Sequence, residues 1–592
     1  MSHAQRLSYT WHKWGILLLL LLLLTIYSAA QDTPGLYALP DANARLTMSS
    51  SIASASDGRL LLTANLLNNT VSLIEPLQSR VQVELAVGAD PRTVAVTPDS
   101  SRAVVVNRGD GTLSLIDLAA AVVSATYPVG VLPYGVVTFD NAQALVALQG
   151  TDEIVRIDLN TGAITARIPT ADAPAGLALW GDLLYVSHLW SGQLSLIYMP
   201  QLKVISTVSA GNDAAVSQSI LIDAQRGLAY LPQTRLNAQN GALTFDTTVF
   251  PVVNVFDLSD LSAGRRAQLT LDTADRPVNL PFAAVLDSQR RWLYVANAGS
   301  DNISVIDLTT GLAVANLPTG LNPRGLLLSR DNGTLYIHNA IEGTVTSIDT
   351  RTFRISDELP VSELTINSDV YLGAQFFNSA IDPRLTADQW ISCASCHFDG
   401  QSDGRVWQGY PGGARNTPLL YALGERALLN ADGSWDELAD VELKIRALQG
   451  GAGFIPDELV NAALGDPHAG LSPDLDTLTA YLLTLDGPAA PPPADPALAA
   501  RGFEVFTAQN CASCHAGERG TDGMRYDVGT GGDYVTPTLR WLWLSAPYLH
   551  DGSAPTLLDL FLMPGDHQLI RAVPLADVEA LVAYLETLPV AP

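Results

Sequence analysis

The feature that most constrains the fold is a strand pattern that recurs seven times between residues 36 and 362. Each copy joins two short strands rich in β-branched residues through an Asn, Gly or Asp turn, and most copies lie 40 to 42 residues apart. A four-stranded propeller blade has about this length. The second strand of each pair recurs at 71–75, 113–117, 155–158, 194–198, 252–257, 303–307 and 345–349. The pattern therefore predicts an all-β, seven-bladed propeller over 36–362.

One copy of the pattern, residues 293–311, reads LYVANAGSDNISVIDLTTG. This string resembles the consensus of the YVTN-type β-propeller family, and the resemblance implies blades that close into a ring. Residues 233–250 interrupt the spacing and are interpreted as an insertion. His188 and His338 lie near blade turns, where a lone histidine is usually structural, so no active site is predicted in the propeller.

All four cysteines lie in two Cys-Ala-Ser-Cys-His pentads. Such cysteines could form two disulfides, a zinc site or the attachment points of haem c. A disulfide or zinc site does not need a histidine after both pairs, so the pattern favours two covalently attached haems. The predicted attachment residues are Cys393, Cys396, Cys511 and Cys514, and the predicted proximal iron ligands are His397 and His515.

Helices and loops replace the strand pattern after residue 362. We predict a first cytochrome c-like unit at 367–486, a Pro-rich linker at 487–495 and a second unit at 496–592. The units look duplicated, because Cys393 and Cys511 differ by 118 positions and Asp432 and Asp551 by 119. The chain is thus predicted to be multidomain, with an all-β propeller followed by two mainly α haem-binding units.

The N-terminus has the pattern of a signal peptide over residues 1–30. Basic residues precede an apolar run at 14–27, and small residues at 28–30 offer a cleavage site. The alternative is an uncleaved membrane anchor, although the run is short for a span of ~20 residues. Either reading places the rest of the chain outside the cytoplasm, periplasmic or secreted, with no further membrane span. The formal net charge of -27 offers no basic surface to nucleic acid.

The C-terminal part resembles the bacterial di-haem cytochrome c peroxidase family, which includes the di-haem enzyme that matures methylamine dehydrogenase. The matching strings are LG at 372–373, FF at 376–377, DPRL at 382–385, SCASCH at 392–397, SDGR at 402–405, RNTP at 415–418, TPTLR at 536–540 and APYLHDG at 546–552. The resemblance implies reduction of hydrogen peroxide, or a related oxidation, at the first haem. It also implies exchange of electrons through the second haem with a protein such as a small cytochrome or cupredoxin.

Two other functions remain open. The chain could be a non-catalytic electron-transfer cytochrome that uses the propeller as a docking or substrate-binding module. Alternatively, the propeller could be the catalytic part and the haems its electron acceptors.

The distal iron ligands are predicted from the few available side chains. Met563 is preferred for the second haem, because its place after His550 matches the family's methionine, and His567 is the rival. The family's blocking histidine is missing from 398–416, which contain no His or Met. His468 is the other imidazole of the first unit, and the first haem has an open face if His468 does not reach it.

Other site residues rest on the resemblance. The family places a carboxylate acid/base downstream of the first Asp-Gly turn, where Glu442 is the candidate. Ala431 replaces the tryptophan that the family has before this turn, and Trp435, Trp541 and Trp543 are possible substitutes in electron transfer. The resemblance also implies a calcium ion between the units, held by Asn416 and by carbonyls near Ser545 and Pro547.

Overall fold

The computed structural model describes residues 38–244, 247–271, 276–410, 412–426 and 428–588. The predicted signal peptide, residues 1–30, lies outside these ranges. No helix within them is long and apolar enough to cross a bilayer.

Seven antiparallel sheets form the blades of a propeller, as the repeats predict. Blades 1 to 3 consist of β2 (Ile52–Ser54), β3 (Leu61–Asn65), β4 (Thr70–Glu75) and β5 (Arg80–Ala86); β6 (Pro91–Val96), β7 (Arg102–Asn107), β8 (Thr112–Asp117) and β9 (Val122–Pro128); and β10 (Pro133–Thr138), β11 (Gln143–Leu148), β12 (Glu153–Asp158) and β13 (Ile164–Pro169). Blades 4 and 5 consist of β14 (Pro174–Trp180), β15 (Leu183–His188), β16 (Leu194–Tyr198) and β17 (Lys203–Val208); and β18 (Ala214–Ala215), β19 (Leu221–Asp223), β20 (Leu228–Leu236), β21 (Val249–Asp257) and β22 (Arg265–Thr270). Blades 6 and 7 consist of β23 (Pro281–Asp287), β24 (Trp292–Asn297), β25 (Asn302–Asp307) and β26 (Leu312–Pro318); and β27 (Pro323–Leu328), β28 (Thr334–Asn339), β29 (Thr344–Asp349) and β30 (Arg354–Pro360).

A buried asparagine at the end of the second strand fixes the register of most blades. Asn107 donates from Nδ2 to Ser114 Oγ at 3.0 Å on the next strand. The same seven-residue link joins Asn65 to Ser72, Asn297 to Ser304 and Asn339 to Thr346. Because a buried amide needs a partner, the repeated Asn and Ser/Thr explain why this sequence makes this hairpin.

His188 takes the place of the asparagine in blade 4. Its Nε2 lies 2.8 Å from Ser195 Oγ, seven residues on, and its Nδ1 lies 2.8 Å from Asp172 O. His188 is therefore a structural residue of the blade.

The N-terminal strand fills the centre of the ring. Strand β1 (Leu46–Met48) pairs with β14, the first strand of blade 4, in the register Leu46 to Trp180. The chain then continues into blade 1. A cavity of about 30 Å³ remains in this hub, lined by first-strand residues that include Arg92, Tyr134, Phe282 and Arg324. That volume suits a water molecule rather than an organic ligand.

The two C-terminal units have the same arrangement of helices. The unit boundaries given above from the sequence remain predictions. The first contains α1 (Ser368–Asn378), α2 (Val441–Gln449), α3 (Pro473–Thr484) and strands β31 (Val406–Trp407) and β32 (Arg415–Asn416). The second contains α4 (Pro496–Ala508), α5 (Leu557–Leu562), α6 (Leu575–Leu585) and strands β33 (Arg525–Tyr526) and β34 (Tyr534–Val535).

Matching glycines let the paired helices touch in both units. A Cβ on Gly373 in α1 would lie 2.1 Å from Thr477 O in α3. A Cβ on Gly502 in α4 would lie 1.9 Å from Ala580 O in α6. Both contacts are too close for any side chain, so each unit requires glycine at its helix crossing.

The units pack on each other and the first also packs on the propeller. Trp541 of the second unit meets Tyr421 edge-on, with ring centroids 5.5 Å apart, and donates from Nε1 to Pro488 O at 2.8 Å. One apolar cluster continues from Phe282 in blade 6 to Phe398 and Leu478 in the first unit. The first unit is therefore seated on the propeller through a shared core.

Candidate functional site

Both pentads open onto one cavity of about 2010 Å³. Its walls include His397 and both cysteines of the first pentad, and His515 and both cysteines of the second. The cavity lies between the two helical units and places the two sets of predicted haem residues in a common chamber.

The first pentad begins with a single helical turn, Cys393–Ser395, whose preceding residue Ser392 caps it. Burial, and then the charge of Lys444, lower the pKa of His397 to about 4. The imidazole is thus neutral at physiological pH, as an iron ligand must be. Its Nδ1 is buried, and the backbone at Gln401 and Pro418 lies beside the ring.

The second pentad has the same local turn, Cys511–Ser513. The Nδ1 of His515 lies 3.0 Å from Gly520 O, so Nδ1 carries the proton and Nε2 keeps its lone pair. Burial lowers the pKa of His515, which also keeps this ring neutral.

These residues fit covalently attached haem c. The four cysteine sulfurs are free of disulfides, so each would be available for a thioether bond to haem. Burial raises the pKa of the Cys393, Cys396 and Cys511 thiols. Among the described residues, no group of three or more metal ligands includes a pentad residue. Paired thiols beside a neutral imidazole and a roomy cavity are the donor set that haem c uses.

His567, rather than Met563, faces the second pentad. The rings of His515 and His567 have centroids 6.4 Å apart, and His567 lines the cavity. Helix α5 ends at Leu562, and Met563 adopts an extended conformation before Pro564. The turn that follows brings His567 back to the chamber, whereas Met563 is not among the residues that line it.

His468 has no free ring nitrogen in this arrangement. Its Nε2 accepts a hydrogen bond from Asn461 N at 3.0 Å, so Nδ1 carries the proton and donates to Asp440 Oδ1 at 2.8 Å. Glu437, Asp440 and His468 place ligand atoms within 4.8 Å of one another. A cation there would displace that Nδ1 proton, so the group is a hydrogen-bonded structural cluster.

Glu442 does not line the cavity, and its expected catalytic role is not supported by its position. The side chain is 0% exposed. Its oxygens accept from Arg446 Nε at 2.8 Å, Phe454 N at 2.9 Å and Ile455 N at 3.2 Å. These bonds tie the first turn of α2 to Arg446 and to the backbone at 454–455, so the carboxylate is engaged within the fold rather than directed at the chamber.

Other polar and aromatic side chains of the first unit reach the chamber. Gln449 donates from Nε2 to Cys393 Sγ at 3.7 Å. Lys444 Nζ lies 4.8 Å from the Trp435 ring centroid and 5.3 Å from that of Tyr410. Sequence reasoning missed Lys444 and Tyr410, although Lys444 lies on the helix that carries Glu442.

The tryptophan substitutes differ in position. Trp435 and Trp541 line the chamber, as does Ala431, whereas Trp543 does not. The indole Nε1 of Trp543 is buried without a hydrogen-bond partner.

The insertion at 233–250 also contributes to the chamber. Strands β20 and β21 extend into this insertion, where Leu228–Leu236 of β20 pairs with Val249–Asp257 of β21. Ala238 O then accepts a hydrogen bond from Gln408 N at 2.9 Å, and Leu243 and Thr248 line the cavity. The irregular spacing of blade 5 was the sequence signal for this contact.

Comparison with known proteins places the C-terminal part among haem proteins. Residues 532–566 match the family described as RoxA-like, cytochrome c-like. The chain is 29% identical over 282 residues to methylamine utilization protein MauG of Methylorubrum extorquens, covering 38% of this chain and 78% of the relative. It is 28% identical over 265 residues to cytochrome c peroxidase Ccp of Escherichia coli, covering 35% and 56%. It is 27% identical over 274 residues to cytochrome c551 peroxidase of Pseudomonas aeruginosa, covering 37% and 77%.

A seven-bladed propeller joined to cytochrome c-like units defines the class of this protein: it is an oxidoreductase whose redox chemistry uses haem c. The predicted relationship to MauG and the cytochrome c peroxidases is confirmed.

Proposed function

We propose that the protein is an exported di-haem cytochrome with peroxidase-type chemistry at the first pentad and electron transfer through the second. The observation that carries this proposal is the unequal surroundings of the two proximal histidines. His515 has a second imidazole beside it. In the first unit, residues 367–486 contain no methionine, and their other imidazole, His468, has both nitrogens bonded. An iron attached at the first pentad would therefore find no methionine and no free imidazole of the first unit for its other face, which favours access by a small oxidant.

His515 and His567 would hold the iron of a haem attached at the second pentad. Two imidazoles whose nitrogens each lie ~2 Å from one metal ion have ring centroids roughly 6 Å apart. The observed 6.4 Å between the centroids of His515 and His567 matches this separation. An iron with two strong ligands carries electrons rather than binding a substrate.

Haem supplies a redox-active iron at each pentad when bound. Reduction of hydrogen peroxide takes two electrons and two protons and releases two waters, so groups that move protons must line the chamber. The proton-exchanging side chains that the first unit places at the chamber include Tyr410, Glu425, Asp432 and Lys444. Gln449 also lines it and would offer its amide to an oxidant. Electrons arrive from a protein such as a small cytochrome or cupredoxin.

An electron-transfer cytochrome without catalysis is the second candidate. The position of Glu442 favours this second candidate. Its carboxylate, the expected acid/base, is bonded to Arg446 and does not line the chamber. In that case the propeller serves as a docking module. The hub cavity of about 30 Å³ leaves no room for an organic substrate, which weighs against catalysis by the propeller.

Electron paramagnetic resonance of the haem-loaded full chain separates the two candidates. We expect one high-spin and one low-spin ferric haem, with the high-spin signal lost in Cys393→Ala/Cys396→Ala and kept in the matched control Cys511→Ala/Cys514→Ala. Peroxide should change the spectrum of the reduced protein. Two low-spin haems in every redox state, with no response to peroxide, would leave the electron-transfer candidate.

Export and calcium belong to the same proposal. The mass of the mature N-terminus distinguishes a cleaved signal peptide from an anchor. The Asn416 amide donates to Pro547 O at 2.9 Å, which brings together two of the groups implied for calcium. A loss of thermal stability on chelation, restored by calcium alone, would support that ion.

A further inference from the structure

The loop that follows the first pentad enters the hub of the propeller. Asp399 comes two residues after His397, and its side chain is 8% exposed. Its Oδ1 lies 3.1 Å from Arg92 Nη1 and 3.8 Å from Arg324 Nη1, and its Oδ2 lies 3.9 Å from Arg108 Nε. We call Arg92, Arg108 and Arg324 the arginine socket.

The arginine socket is a buried cluster with excess positive charge. Each of its side chains is 7% exposed, and Asp90 is the second carboxylate in the cluster, 2.8 Å from Arg92 and 3.2 Å from Arg108. Burial opposes the charge of Arg92, but Asp399 and Asp90 outweigh it and raise the pKa of that guanidinium. Three guanidiniums thus face two carboxylates, and removing either carboxylate leaves buried charge without a partner.

A second contact holds the pentad itself. Asn279, just before β23, donates from Nδ2 to Ser395 Oγ at 3.0 Å and accepts at Oδ1 from Ser392 Oγ at 2.9 Å. Ser395 is the third residue of the pentad. Phe398 packs on Phe282 with ring centroids 6.0 Å apart. The propeller therefore grips the attachment motif on both sides of His397.

The second unit serves as an internal comparison. Its pentad is also Cys-Ala-Ser-Cys-His, but Ala516 and Gly517 stand where the first unit has Phe398 and Asp399. No residue of its turn Cys511–Ser513 is buried. The residues that enter the hub are thus particular to the unit that contacts the propeller.

We propose that Asp399 and the arginine socket set the reduction potential of the first haem, so that the propeller is a positioning and tuning part of that haem site. The inference rests on the proposed attachment of haem beside His397. Reduction removes one positive charge from the iron. A buried positive cluster that contacts Asp399, two residues after the proximal ligand, therefore favours the reduced state, and the buried carboxylate favours the oxidised state.

Removing a negative charge and removing a positive charge should shift the potential of the first haem in opposite directions. In a redox titration of the haem-loaded full chain, Asp399→Asn should favour reduction of the first haem by on the order of tenfold, equivalent to a rise of about 59 mV. Arg108→Gln should lower the same potential, and the double variant should return it towards the starting value. Asp466→Asn, an exposed carboxylate of the same unit, is the matched control and should move neither haem.

A purely structural role does not produce shifts of opposite sign. Unchanged potentials, shifts in one direction, or equal shifts of both haems would overturn the inference. If Asp399→Asn does not fold, Arg108→Gln and the charge-conserving Asp399→Glu carry the test, with Asp399→Glu expected to keep the potential. Haem stoichiometry separates the claims: without haem at the first pentad both this inference and the proposed function fail, whereas two haems with unmoved potentials refute only the inference.

Discussion

Glu442 gives the sharpest test of what the structure says about catalysis. Glu442→Gln keeps the shape of the side chain but removes a charge that holds Arg446 and two backbone amides at 2.8 to 3.2 Å. Hydrogen bonds to a charged group contribute roughly 1.5–3 kcal/mol each, and breaking a buried ion pair costs roughly 3–5 kcal/mol. We therefore expect the free energy of unfolding to fall by about 3–5 kcal/mol, because glutamine keeps only one accepting oxygen.

Chemical denaturation of the haem-loaded protein, followed by circular dichroism, measures this loss. Asp457→Asn is the matched control, since Asp457 binds the same arginine at 2.6 Å but is 91% exposed, and no measurable change is expected. Turnover of peroxide per folded haem should stay the same in both variants. A Glu442→Gln protein with full stability and no turnover would refute the structural role and restore Glu442 as the acid/base.

Three further predictions follow from other contacts. Replacing His567 with methionine should raise the midpoint potential of the second haem by at least ~59 mV in a redox titration, because a thioether ligand favours ferrous iron; Met563→Leu should leave it unchanged, and the reverse pattern would make Met563 the ligand. Burial lowers the pKa of His338 to about 3 in the folded protein. Between about pH 3 and 6.5 the imidazole is therefore protonated in the unfolded chain but neutral in the folded one, so the free energy of unfolding rises with pH over this range. His338→Gln should make the slope of unfolding free energy against pH shallower by up to about 1.4 kcal/mol per pH unit, and an identical slope would contradict the assignment. Trp541→Ala should cost about 3–5 kcal/mol in thermal or chemical unfolding because the indole is buried between the helical units, whereas an unchanged stability would mean that this contact is not formed.

The propeller was predictable because its information is local. The same asparagine bonds a Ser or Thr seven residues later in several blades, so the hydrogen bond that fixes each hairpin is written within one repeat. The helical units were predictable for a related reason. Their duplicated strings carry equivalent turns, and equivalent glycines lie where the helices touch.

The hub and the seat of the first unit were not predictable, because their partners are far apart in sequence. Strand β1 pairs with β14, and Asn279 reaches Ser395 across 116 residues. Two sequence features correspond to the contact between the first unit and the propeller. Arginine follows proline at the start of β6 and β27, and Phe398-Asp399 departs from the Ala516-Gly517 of the other unit.

The side chain that faces the second pentad shows the limit of reasoning from spacing. Met563 stands almost where the family has its methionine, but the side chain that faces a pentad depends on how the chain turns after α5. That turn is set by the end of the helix at Leu562 and by Pro564, not by the count of residues from His550. The position of His567 therefore depends on the tertiary structure and not on sequence spacing.

The two pentads differ in how far solvent reaches their backbone. Ala394 and Ser395 are buried beneath the propeller, whereas Ala512 and Ser513 of the second pentad are exposed. If haem is attached at both pentads, the backbone of the second motif is within reach of the attachment machinery at the surface. The first motif would be reached through the shared chamber or before its unit docks on the propeller.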